Sequence, residues 1–175
     1  MNRADVEKLL TLHEAKRNRR YKDTKGKVTV GIGCNLDAPG ARAMFAKVLP
    51  HINFDDLYNG KIALSDADID TLFQHQLDVA ESDAKKLVPS FDAQPDAVQL
   101  VLVDMSFELG ETKFSYFHKF LAAISREDYA GSIAQITNTV YYHEVPSRAR
   151  DNIALLTTAA NYRNFPAGGT SGATT

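Results

Sequence analysis

The chain has a single cysteine, Cys34, so no disulfide can form within it and folding requires no oxidising compartment. No apolar run approaches the ~20 residues that a membrane-spanning helix needs, and no internal repeat is visible. The N-terminus, "MNRADVEKLL", is charged and periodic, without the apolar centre of a signal peptide. These absences lead to the expectation of a soluble product made in the cytoplasm, without stable membrane insertion, that needs separate help to act elsewhere. Nor does either sign of charge prevail. A net charge of -2 exerts no global pull toward nucleic acid.

Several chemistries are missing as well. "GIGCNL" is not a dinucleotide fingerprint, because Leu36 stands at the third glycine position and no β-α-β pattern surrounds it. "DADID", Asp66 to Asp70, imitates the start of a calcium loop, but Thr71 and Leu77 occupy its glycine and glutamate places. His13, His51, His75, His118 and His143 are scattered without ligand spacing, so no zinc site is expected. No Gly-x-Ser-x-Gly elbow exists for an esterase triad. No metal or organic cofactor is implied.

What is present reads as a mostly helical α+β protein. A chain of 175 residues, 44% apolar and 24% charged, suits one domain or a small and a larger lobe sharing a helix. Asn2 can cap a first helix over residues 2–14, with Val6, Leu9, Leu10 and His13 on one stripe. "DTKG", residues 23 to 26, is turn chemistry, and "KVTVGIG" after it alternates as a strand does, so a hairpin is expected at about residues 19–34. Short helical pieces broken at Pro39, Gly40, Pro50 and Gly60 complete a small lobe over about 15–64. Ser65 with Asp68 resembles a capping box opening a long helix over about 65–88. Its apolar face is Ile69, Leu72, Phe73, Leu77, Ala80, Ala84 and Leu87, and at ~1.5 Å per residue it could join two lobes about 30 Å apart. "PDAVQLVLVDMSFELG" reads as a buried central helix stopped at Gly110, within a helical lobe over about 89–165 that includes helix 2–14. Helices near 113–124, 126–136 and 146–157 follow, and 166–175 reads as a loose tail.

Charge is unevenly spread. Lys16, Arg17, Arg19, Arg20, Lys22, Lys25 and Lys27 face the lone acid Asp23. Such a run attracts an anionic polymer or is simply a solvated basic face.

Among the carboxylates, Glu14 falls where the first helix ends, near its negative pole. That position and partial burial both favour the protonated acid, as protonating a leaving oxygen requires. Asp23, in a turn among lysines, is expected to stay ionised. Two carboxyl groups driven apart in this way are the pattern of glycoside cleavage. Thr29, six residues beyond Asp23, could face its hydroxyl toward the turn. Read singly, these are weak signals: a helix-end glutamate is usually solvated, a turn aspartate usually only a turn residue, and a strand threonine usually there for propensity.

Glu14, Asp23 and Thr29, followed by "VGIG", resemble the catalytic signature of the T-even-phage lysozymes, the muramidases of glycoside hydrolase family 24. "LSDADIDTLFQHQLD" resembles that family's interlobe helix, "DAVQLVLVDMSFELGET" its central helix, and "VPSRARDNIALLTTAANY" its segment around a Pro-x-Arg-Ala motif. The resemblance runs from residue 2 to about 165 and implies a two-lobed lysozyme fold. It implies Glu14 as general acid, Asp23 as the carboxylate that orients or deprotonates water, Thr29 as the hydroxyl that holds that water, and inversion at the anomeric carbon. It implies Arg148 as a supporting partner of Glu14, and Asn35, Phe107, Glu108 and Gln135 as sugar contacts.

The implied substrate is the β-1,4 bond between N-acetylmuramic acid and N-acetylglucosamine in peptidoglycan, cleaved by a monomeric phage endolysin. It would be made in the host cytoplasm and reach the periplasmic wall through a separate holin. Cys34 where a familiar member has histidine, Asn35 for an apolar residue, Glu108 for glutamine, and a net charge of -2 depart from the pattern and bear on subsites and wall affinity. A lytic transglycosylase, an inactive wall-binding module and a nucleic-acid-binding helical domain are the rival readings. The last explains neither the Glu-Asp-Thr spacing nor the C-terminal likeness.

Overall fold

The structure, a computed structural model, describes residues 1–14 and 16–164, and the expected tail at 166–175 lies outside them. Helices dominate, with one small antiparallel sheet of order β1-β2-β3. The elements in order are α1 (Arg3–His13), β1 (Lys16–Lys22), β2 (Val28–Ile32), β3 (Cys34–Asn35), α2 (Ala41–Val48), α3 (Phe54–Tyr58) and α4 (Asp66–Leu87). They continue with α5 (Asp96–Ser115), α6 (His118–Ser125), α7 (Tyr129–Thr137), α8 (Val140–Glu144) and α9 (Pro146–Asn164). Two compact units are present, one of residues 7–79 and one of residues 1–6 with those from 80 onward. Among the described residues no helix is long and apolar enough to cross a membrane.

In the unit of residues 7–79, β2 is the central strand and pairs with β1 and β3. All five of its residues are buried, so the alternation in "KVTVGI" does not mark a half-exposed strand. Gly31 lies at φ +65, left-handed backbone that favours glycine, and packs beside Ile69 and Leu72. The core adds Leu36, Phe45, Leu57, Leu64, Phe73 and Leu77. Phe54 meets Phe45 edge-on at 5.4 Å between ring centres.

The capping box opening α4 forms in both directions. Ser65 N–H donates to Asp68 Oδ2 at 2.9 Å, and Asp68 N–H donates to Ser65 Oγ at 3.1 Å. Two donors that a helix start leaves unpaired are thereby satisfied.

The expected hairpin needs correction at both ends. β1 begins at Lys16, three residues earlier, and β3 adds a third strand. Both edges carry few apolar residues, so neither shows the periodicity by which strands are read.

In the other unit, α5, α6, α7 and α9 pack together around Val98, Val101, Leu102, Met105, Phe114, Phe120, Ile124, Ile136 and Leu156. Gly110, with φ 71 and ψ 162, breaks α5 where the sequence predicts a stop, but another helical turn follows directly. The later helices start or end elsewhere than expected: α6 at 118–125, α7 at 129–137 and α9 at 146–164, with the short α8 between the last two. Asp128 and Thr139 cap α7 and α8 by accepting from Gly131 N and Tyr142 N.

Candidate active site

Glu14 follows the last residue of α1, and its N–H donates to Leu10 O at 3.1 Å, prolonging the final turn. Its carboxyl sits against Gly33, between β2 and β3. A Cβ placed on Gly33 would stand 3.0 Å from both Cδ and Oε2 of Glu14, and this glycine has φ +70. Only glycine meets both demands there: the left-handed backbone and the room for the acid.

Asp23 occupies the β1–β2 turn. Gly26 N–H donates to Asp23 O at 2.9 Å, and Asp23 N–H donates to Lys27 O at 2.9 Å. Its carboxylate Oδ1 accepts from Lys25 N–H and Lys27 N–H, each at 2.8 Å. Both bonds use the same carboxylate oxygen.

Thr29, buried in β2, pairs across the sheet with Tyr21 on one side and Asn35 on the other. Its hydroxyl donates to Lys27 O at 3.2 Å, so its oxygen retains lone pairs for a further donor.

Tyr21 links these groups electrostatically. Burial lifts its hydroxyl above the ordinary tyrosine pKa, and the charges of Glu14 and Asp23 push in the same direction while Arg17 opposes them. Both carboxylates therefore act on one phenol of the hairpin.

Asn35 is fixed by accepting from Asp37 N–H at 2.8 Å through Oδ1, leaving its amide N–H groups as donors. Asp37 in turn accepts from Val28 N–H at 2.9 Å and from the Tyr58 hydroxyl at 2.8 Å. Those bonds, that of Val28 foremost, lower its pKa. Cys34 is buried, and burial pushes its thiol up to about 12, which removes it as a nucleophile at ordinary pH.

In the helical unit, Arg148 is buried with an ion pair to Glu108 and a 3.5 Å approach of its Nε to Asp104 Oδ1. Asp104 is wholly buried near the middle of α5. Asn152 Nδ2 donates to Asp104 Oδ2 at 2.7 Å and lies 2.9 Å from the Tyr141 hydroxyl. Burial raises the Asp104 pKa to about 6, against the opposing effects of Arg148 and the Asn152 bond. Burial, then the charge of Asp104, raises Tyr141 as well.

The expected residues thus fall in two groups. Glu14, Asp23, Thr29 and Asn35 belong to the hairpin unit, while Phe107, Glu108, Gln135 and Arg148 belong to the helical unit. Within the latter, Glu108 and Arg148 are in contact, and Phe107 and Gln135 are half-exposed on α5 and α7. Sequence reasoning passed over Tyr21, Gly33, Asp104, Tyr141 and Asn152. An aspartate at the centre of the apolar run of α5, four residues before Glu108, was the available signal for the buried network.

A helical α+β protein that seats one acid on a glycine turn beside an aspartate-centred hairpin is suited to acid–base chemistry at an oxygen. No family model matches the chain. It is similar to two curated proteins of Dictyostelium discoideum. "Probable T4-type lysozyme 2" is 23% identical over 161 residues, covering 89% of this chain and 95% of the relative. "Probable T4-type lysozyme 1" is 22% identical over 163 residues, with the same coverage of 89% and 95%.

Proposed function

We propose that the protein is a peptidoglycan hydrolase, a muramidase that cleaves the β-1,4 bond between N-acetylmuramic acid and N-acetylglucosamine with inversion. The similarity, over 89% of this chain, to proteins named T4-type lysozyme supports the reaction class. The observation that carries the assignment of the acid is the seating of the Glu14 carboxyl against Gly33, in the same unit as the Asp23 turn and the Thr29 hydroxyl.

In this proposal Glu14 donates its proton to the glycosidic oxygen as the bond to the anomeric carbon breaks. The attacking water gives one hydrogen bond to Thr29 Oγ1, whose own proton is engaged by Lys27 O, and one to Asp23 Oδ2. A water holding both protons in this way presents a lone pair to the anomeric carbon. Asp23 takes a proton as the new C–O bond forms, and inversion delivers the α-anomer. An inverting pair needs a carboxyl separation of ~6.5–9.5 Å to admit that water.

Arg148 as a supporting residue, and Asn35, Phe107, Glu108 and Gln135 as sugar contacts, belong to the same proposal and rest on the family resemblance. So does the biological setting: a monomeric phage endolysin, made in the host cytoplasm and admitted to the wall by a separate holin. Fresh digests of purified peptidoglycan tested by NMR separate the outcomes. Reducing ends appearing first as the α-anomer support the proposal. A first β-anomer contradicts the inverting water, and anhydro-muramic ends mark a transglycosylase instead.

A further inference from the structure

The basic run absorbed by β1 takes no part in the chemistry above, yet it builds a groove. Lys16, Arg17, Arg19, Arg20 and Tyr21, with Asn18, Asp66 and Ile69, line an open cavity of about 580 Å³ in the hairpin unit. β1 is an edge strand, and every one of its residues except Tyr21 is exposed. Its pairing with β2 shifts between Arg17 and Tyr21, so that Asn18, Arg19 and Arg20 bulge from the ladder. Leu64 N–H caps the bulge by donating to Asn18 O at 2.8 Å, which fixes the backbone and leaves the side chains outward.

The charges in this groove are poorly matched by the protein itself. Lys16 is neutralised by Asp70 at 3.0 Å and Asp66 at 3.4 Å. Arg17 lies over the Tyr21 ring at 4.5 Å, a cation–π contact that leaves its charge unpaired. Arg20 passes beside Gly60, where a Cβ would stand 3.1 Å from its Nε. Among the described residues, Arg17, Arg19 and Arg20 have no ion pair with an acid. Guanidinium groups held this way match oxyanions with two parallel donors each.

Tyr21 ties the groove to the candidate site. It is both a wall of the cavity and the cross-strand partner of Thr29. A chain laid along β1 would therefore reach the residue paired with Thr29, and the anionic chain attached to muramic acid is a short peptide bearing free carboxylates.

We propose that the bulged strand β1 is a subsite for the acidic stem peptide of the glycan, with Arg17, Arg19 and Arg20 receiving its carboxylates. The proposal rests on the peptidoglycan reading. It assigns the local positive charge of a protein with net charge -2 to substrate selection.

The test is binding of a soluble disaccharide-peptide from peptidoglycan to the full chain carrying Glu14→Gln, which separates binding from turnover. Adding R19Q and R20Q should weaken binding roughly five-fold, the sum of two exposed charge pairs. Amidating the peptide carboxyls should weaken binding to a similar extent, and the two changes together should do little more than either alone. Unaltered melting of the double variant would show that the fold is kept. Equal binding of the native and amidated peptides, or additive losses, would overturn the subsite. So would an oligonucleotide that binds the same residues more tightly than the peptide. Failure of the unsubstituted protein to release reducing ends from purified walls would instead overturn the peptidoglycan reading, independently of the groove.

Discussion

Replacing Gly33 by alanine probes the seat of the proposed acid, and Gly31 supplies its control. Both glycines adopt left-handed backbone, at φ +70 and φ +65. An alanine at either position therefore costs about 1–2 kcal/mol of backbone strain, equivalent to a fall in Tm of roughly 2–8 °C for a chain of this length. The surroundings differ. At Gly31 the new methyl would meet Ile69 and Leu72 at 3.6 and 3.7 Å, ordinary packing distances. At Gly33 it would stand 3.0 Å from the Glu14 carboxyl, so the acid must move. Relief needs the carboxyl to give by a few tenths of an ångström, a fraction of the 1 Å misplacement that costs on the order of 10²-fold in rate. Gly33→Ala should thus lose several-fold to about ten-fold of wall-clearing activity, while Gly31→Ala retains most of its own at a similar Tm. Calorimetry and reducing-end release on purified walls provide the comparison. Equal activity losses at equal stability would refute the seating argument.

Two further outcomes follow from named contacts. Thr29→Ala should lower kcat by about ten-fold or more with KM nearly unchanged, because it removes a contact made by the nucleophile in the transition state; a KM effect alone would place Thr29 in substrate binding. Asp104 has its pKa raised to about 6 in the folded chain, so the folded state takes up its proton more readily than the unfolded one. Stability from this group is greatest below its unfolded pKa near ~3.9 and is lost as pH rises toward about 6, a loss on the order of 3 kcal/mol at ~1.4 kcal/mol per pKa unit. Asp104→Asn should flatten that part of the stability–pH curve as measured by denaturant unfolding, whereas an unchanged slope would mean that another group is responsible.

The sequence disclosed most where local chemistry dictates structure. The Asp23 turn is legible because a short acid followed by glycine closes onto its own backbone, and the Ser65–Asp68 box because its residues need only each other. The start of β1 was not legible, since an exposed edge strand of lysine and arginine shows no apolar alternation. β3, two residues long, is defined by pairing with β2 and carries no pattern of its own. In the candidate site, Glu14, Asp23 and Thr29 could be picked out by residue type and spacing. The roles of Gly33 and Tyr21 depend on which residue the fold lays beside the carboxyls. The Asp104–Asn152–Tyr141 cluster was hidden for the same reason, because it joins α5, α8 and α9 across the helical core.

The proposed reaction rests on a proton delivered by Glu14, and Glu14→Gln keeps the shape of that side chain while removing the proton. Reducing-end release from purified peptidoglycan by the two proteins, at matched concentration and with matched melting curves, measures this directly. Loss of the acid should lower kcat by about 10³-fold, within the ~10²–10⁴ that positioned acid catalysis supplies. Activity above a tenth of the unsubstituted protein would contradict the assignment.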